Sequence, residues 1–184
     1  MRPLGRRGSK RPGLTESQVF ASPRLDPVSA RDANWLPDAL GRWGCSLRWS
    51  DVWGQTPSPD GLSRLLWQDV FVQRAVRADG DRTVGLIQAS KFRIEDGVAD
   101  LDLLVDPAYL VAADGVLEEF LSQVFADHPL RKLCLAICSD DLALTPHLAR
   151  VAQQVGCLVE HRRRGRDHFV DINLYEIWAD GLDS

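Results

Sequence analysis

Residues 97–115 read GVADLDLLVDPAYLVAADG, and the fold turns on how this stretch is divided. Val98 to Val105 has the composition of a strand, and Asp106-Pro107 halts it because proline supplies no ladder N–H. A stretch of small residues follows and is expected to open a helix at Gly115. A strand that delivers such a loop to a helix N-terminus can present backbone N–H groups to a phosphate, since first-turn amides have no partner inside the helix and the dipole favours negative charge. The expected layout is that of an anion site.

The flanking segments build outward from this unit. Val70 to Arg77 and Thr83 to Phe92 alternate as paired strands, and Ala78-Asp79-Gly80-Asp81 between them is a hairpin turn. Ile94-Glu95-Asp96-Gly97 makes a second turn, so three antiparallel strands lead into the loop. Beyond it, Leu117, Phe120, Leu121 and Val124 recur at helical spacing over Val116 to Phe125. Leu133 to Ile137 reads as a short buried strand, Pro146 to Val155 as a helix, and Leu158 to Arg163 with Phe169 to Ile177 as a hairpin turning at Gly165. Ahead of the meander, Val19 to Leu25 is a candidate strand and Asp26 to Leu40 a helix capped by Asp26 or Ser29; Ser58 or Asp60 caps another running through Trp67 and Phe71. Strands followed by strand-helix-strand units point to an α+β architecture.

The 184 residues are 45% hydrophobic, enough for one compact domain, expected over 18–184. Residues 1–17 carry five cationic side chains, two prolines and three glycines. That composition fits a flexible basic tail, or one that docks electrostatically on an acidic partner. A net charge of −4 argues against a surface built for nucleic acid. No apolar run approaches the roughly 20 residues that cross a bilayer, and no apolar stretch follows the N-terminal arginines, so a cytoplasmic protein is expected. Cys45, Cys134, Cys138 and Cys157 lack the paired spacing of a zinc site, so no metal is expected; Cys134 and Cys138 read as small core residues. Trp43, Trp49 and Trp53 cluster in the front third, where they either line an acceptor cleft or pack helices on the sheet.

The order and spacing of these pieces resemble the GNAT N-acetyltransferase superfamily. The likeness runs from about Val19 to Trp178, and its best-matching pieces are Thr83-Val84-Gly85-Leu86-Ile87, Leu130-Arg131-Lys132-Leu133-Cys134-Leu135, and Glu160-His161-Arg162 with Asp171-Ile172-Asn173-Leu174. It is similar to the branch that acetylates ribosomal-protein N-termini. Thr56 to Pro59 and Leu66 to Gln68 also resemble segments of actinobacterial-type members. The resemblance implies a mixed sheet of six or seven strands with a V-shaped splay between the fourth and fifth, and acetyl-CoA or another acyl-CoA as co-substrate. By position, the backbone of Leu103, Leu104 and Val105 would hold the pantetheine arm, and Leu110, Val111, Ala112, Ala113, Asp114, Gly115 and Val116 would form the pyrophosphate loop. That loop is degenerate: only Gly115 keeps the family pattern, Ala113 replaces a glycine, and Leu110 a Gln or Arg. Asp114 adds a carboxylate near the pyrophosphate, so Asp114→Gly is expected to tighten CoA binding. Lys132 or Arg131 could compensate, or both lie at the exposed start of the fifth strand. Asp141 stands where an Asn is usual.

Acyl transfer to an amine needs a proton acceptor, oxyanion donors and an acid for the thiolate. Asp100 and Asp102 share one strand face and are the candidate bases; His147 is another. The family's tyrosine acid would fall near Ala152 and is missing, which leaves Ser139 or unaided departure. His161 and His168 read as solvated. The implied activity is transfer of an acetyl or other acyl group to a small amine or a peptide N-terminus. Alternatives are a thioester delivered by an acyl carrier protein, whose single phosphate suits a weakened loop, and a non-catalytic binding protein on the same scaffold.

Overall fold

The computed structural model describes residues 22–43, 58–139, 148–163 and 167–181. The expected tail (1–17), Trp49, Trp53, Asp141 and His147 lie outside the described residues.

The chain forms a seven-stranded mixed sheet. Its strands are β1 (Arg24–Asp26), β2 (Val70–Ala78), β3 (Arg82–Arg93), β4 (Val98–Val105), β5 (Lys132–Cys138), β6 (Gln153–Arg163) and β7 (Phe169–Trp178), and its helices α1 (Ala30–Trp43), α2 (Pro59–Trp67) and α3 (Leu110–Asp127). The order across the sheet is β1-β2-β3-β4-β5-β7-β6, with β4 and β5 parallel and every other pair antiparallel. β4 has the bounds expected from its sequence. The β2–β3 hairpin turns through Asp79, Gly80 and Asp81, all at positive φ, a conformation that glycine and short polar residues tolerate best.

Strand parity divides the apolar residues between two cores. Ala99, Leu101, Leu103 and Val105 of β4 face the larger one, where Leu110, Ala113, Val116, Leu117, Phe120, Leu121 and Val124 of α3 pack with Leu133, Leu135 and Ile137 of β5. On the opposite face Leu86 and Leu104 meet Leu36, Ala39 and Leu40 of α1 and Leu62 and Leu66 of α2. Asp100 and Asp102 share this second face with Leu104, beyond its apolar cover.

Polar groups fix the helix starts. The Ser29 N–H and hydroxyl both donate to Asp32 Oδ2 (2.7 and 2.9 Å), closing the first turn of α1; Asp26 is in β1 instead. Ser58 accepts from the Gly61 N–H at the start of α2. Asp32 also receives both guanidinium nitrogens of Arg77 (2.6 and 2.9 Å) and the Thr83 hydroxyl (2.8 Å). Both charged side chains of this pair are 1% exposed, so α1 is tied to β2 and β3 by an ion pair removed from water.

Two further expectations are corrected. The helix expected to open at Gly115 starts five residues earlier. Asp106-Pro107 does not break the chain but begins a 3-10 turn, Pro107–Tyr109, in which the Asp106 carboxylate accepts from the Ala108 N–H (3.0 Å) and the Asp106 carbonyl from the Tyr109 N–H (2.8 Å). Leu110 and Ala113 then continue the buried stripe of α3 toward its N-terminus, and this packing draws residues 110–115 into the helix. Gly115 lies in the second turn with open space where a Cβ would stand. The helix expected over Pro146 to Val155 is also not formed to its end: residues 153–155 belong to β6, which pairs Gln153 with Glu176 and Gln154 with Tyr175.

Candidate functional site

β4 and β5 pair only at Val98–Lys132, Ala99–Leu133 and Asp100–Cys134. Beyond that point both strands continue, but each holds only its outer neighbour: β4 stays bonded to β3 as far as Val105, and β5 to β7 as far as Cys138. The edges formed by Leu101 to Val105 and Leu135 to Cys138 therefore make no ladder with each other, and the expected splay is present. Extended backbone that lacks ladder partners needs other hydrogen-bond partners. Leu103, Leu104 and Val105 lie on this edge.

A cavity of about 400 Å³ opens at the seam, lined by Asp100, Asp102, Cys134, Ala136, Leu174 and Glu176 among others. Two acidic residues foreseen from sequence are thus brought together with residues of β5 and β7 that no local pattern singled out. The carboxylates of Asp100 and Asp102 are held differently. Asp102 Oδ2 accepts from Gln88 Nε2 (3.2 Å) and Ser90 Oγ (3.3 Å), two neutral donors on fully buried residues of β3. Asp100 faces cations, Lys91 Nζ at 3.1 Å and Arg93 Nη1 at 3.6 Å. Lys132 forms a close ion pair with Glu176 and lies over the Trp178 ring; Arg131 also lies over that ring. Both cations thus stand at the start of β5, the other of the two places expected for them. Burial pushes the Cys134 thiol up, so at neutral pH it is a protonated wall of the cavity rather than a nucleophile.

Of the expected loop residues, Leu110, Ala113 and Val116 are buried against the core, while Val111 and Gly115 are exposed. The helix N-terminus at Leu110 follows the open end of β4 after the 3-10 turn Pro107–Tyr109, and a helix start favours an anion. Asp114 is not an uncompensated charge, because Arg150 Nη1 lies 2.8 Å from it. The expectation that Asp114→Gly tightens CoA binding therefore loses its basis. With Gly115 adjacent, that substitution is instead expected to cost about 1 kcal/mol of stability through helix propensity, measurable by urea denaturation. Ser139 follows β5 with its N–H on the Asp171 carbonyl (2.9 Å), and it does not line the cavity. His161 and His168 are exposed.

No protein-family model matches the chain, and no curated protein matches it. Solved structures do. Spermidine N-acetyltransferase from Vibrio cholerae in complex with CoA and spermine superposes with a TM-score of 0.69 at 12% identity, covering 89% of this chain and 99% of that one. A chimera of the Vibrio cholerae enzyme and hSSAT gives 0.69 at 16% identity over 89% and 100%. The dodecameric structure of the Vibrio cholerae enzyme in an intermediate state gives 0.65 at 14% identity over 85% and 94%. Identities this low carry the fold and not the substrate: the chain shares its overall architecture with these spermidine N-acetyltransferase structures.

Proposed function

We propose that the protein is an acyl-CoA-dependent N-acyltransferase, which moves an acetyl or other acyl group to a small primary amine by direct attack on the thioester. The observation that carries this reading is the early end of the β4–β5 ladder beside a cavity lined with carboxylates. The residues fit the co-substrate: the bare strand edge at Leu103, Leu104 and Val105 suits an extended amide-bearing arm, and the start of α3 suits its phosphates. A structural neighbour, a spermidine N-acetyltransferase crystallised with CoA and spermine, supports CoA as the co-substrate and a small amine as the acceptor.

In this reading the co-substrate supplies an activated carbonyl. Backbone N–H groups along Leu103 to Val105 polarise its oxygen, and Asp102 accepts the amine proton directly or through water. The new bond joins the amine nitrogen to the carbonyl carbon as the carbon–sulfur bond breaks. The thiolate takes its proton from solvent, or from Ser139 if the splay closes toward it.

The test is calorimetry with acetyl-CoA, followed by a thiol-release assay across amines that include polyamines, amino acids and a peptide N-terminus. Micromolar CoA binding with amine-dependent thiol release is expected. Absence of both, with acetyl-CoA and longer acyl-CoAs, would overturn the reading in favour of the non-catalytic one.

A further inference from the structure

β6 carries its apolar side chains in the open. Among the described residues it is an outermost strand, bonded to β7 alone, and every residue from Gln153 to Val159 except Gly156 is exposed. Val155, Leu158 and Val159, with Phe169 at the start of β7, are four of the seven large apolar side chains exposed among the described residues. That is a concentration at one edge rather than a scatter over the surface.

The other edge is guarded. β1 is three residues long and charged at both ends, Arg24 and Asp26, which discourages a further strand. β6 runs for 11 residues and has no charged side chain from Gln153 to Val159. A long, uncharged edge is a template for another strand.

The shape of β6 limits where that strand can pair. Its register against β7 shifts between Gln154 and Gly156 and again between Leu158 and Arg162. Within the second shift Glu160 has φ 50 and turns its N–H to Asp171 Oδ1 (2.8 Å). The regular pairs between the shifts are Gly156–Leu174, Cys157–Asn173 and Leu158–Ile172, centred on Cys157. A strand that pairs with its own copy does so about a two-fold axis. With the axis at Cys157, Val155 stands opposite Val159 and Gly156 opposite Leu158, small against large. Glu160 and His161 then face Gln154 and Gln153, and Arg162 and Arg163 face Ala152 and Val151. No like charges meet.

We propose that the protein is a two-fold dimer in which a second copy of the chain adds its β6 antiparallel to this one about Cys157. The pairing gives the edge backbone its hydrogen bonds and covers the exposed valines and leucine. Val155 also lines the cavity, so the second copy shields the outer side of one wall of the candidate site. The dimer is independent of the acyltransferase reading.

Across an antiparallel pair the two Cys157 Cα atoms stand about 4.5–5.5 Å apart, inside the range of about 4.4–6.8 Å that a disulfide spans. The test is sedimentation equilibrium of the full chain, with and without copper–phenanthroline as oxidant. A dimer mass is expected, with a Cys157–Cys157 disulfide found by peptide mapping; Cys157→Ser should lose the link and keep the dimer. Val159→Lys puts an ammonium on the paired edge at a position 73% exposed, and should raise the dissociation constant at least about tenfold. Circular dichroism shows that this variant is folded, and its Tm should no longer rise with protein concentration as that of the unsubstituted chain does. A monomer at every concentration, or an oligomer that Val159→Lys leaves intact or that forms no Cys157 link, would overturn the proposal.

Discussion

Asp102→Asn is expected to lower turnover by about 10² to 10⁴ while leaving acyl-CoA affinity nearly unchanged, because a proton acceptor contributes in the transition state and not to co-substrate binding. The structural reason for ranking Asp102 first is its surroundings. Gln88 and Ser90 donate to its carboxylate and orient it, and Asp100 is engaged by Lys91 and Arg93. Asp100→Asn is expected to act more weakly and mainly on KM for the amine. Turnover and calorimetric affinity for both variants check the ranking. Equal kcat for Asp102→Asn and the unsubstituted enzyme would move the base elsewhere, with His147 the next candidate.

The second large effect concerns stability. Asp32→Asn removes the carboxylate closest to the buried Arg77 and leaves it only Asp26 at 3.8 Å and Asp81 at 4.0 Å, a change that costs roughly 3–5 kcal/mol and, at about 2–4 °C per kcal/mol for a chain of this size, roughly 6–20 °C in Tm. A pH dependence accompanies it. Burial by itself raises the Asp32 carboxyl, but the Arg77 guanidinium, the Ser29 N–H and the Thr83 and Ser29 hydroxyls outweigh it and hold the group below its ordinary value. A depressed carboxyl contributes stability that is complete above its unfolded value of about 3.9 and is lost as pH falls toward and through the folded one. The urea midpoint of the unsubstituted protein should therefore drop below about pH 4 more steeply than that of Asp32→Asn. Parallel curves would show that this ion pair carries no such linkage.

What the sequence disclosed, and what it withheld, follows from the range of the interactions involved. β4 could be read to the residue because its apolar run, its turn at Gly97 and its stop at Asp106-Pro107 are all local. Asp100 and Asp102 were legible for the same reason, since period-two alternation puts them on one face whatever the partners are. The start of α3 was misread because Asp106-Pro107 serves as well for a 3-10 entry as for a stop, and only the burial of Leu110 and Ala113 chooses between them. Leu148, Val151, Ala152 and Val155 are spaced as on a helix, yet pairing with β7 claims residues from Gln153 onward; such pairing is invisible in a local window. For related reasons Glu176 and Lys91 escaped notice, and Cys134, read as a core residue, is a half-buried wall of the cavity. Glu176 and Cys134 reach the cavity only through the β4-β5-β7 order, and Lys91 only through a register shift.

The three-pair seam between β4 and β5 also has a consequence for how the molecule holds together. On one side lies a meander of strands adjacent in sequence, on the other a three-stranded unit whose members are drawn from farther along the chain, and few backbone rungs join them. A molecule laid along both bare edges would act as a set of replacement rungs, so its binding energy is delivered to the joint between the halves. Such a ligand stabilises the fold by RT ln(1 + [L]/Kd), and the slowest-exchanging amides should spread from the meander into β5 and β7 when it binds. In the proposed reading, the opening that admits the co-substrate is then also the place where the co-substrate completes the sheet.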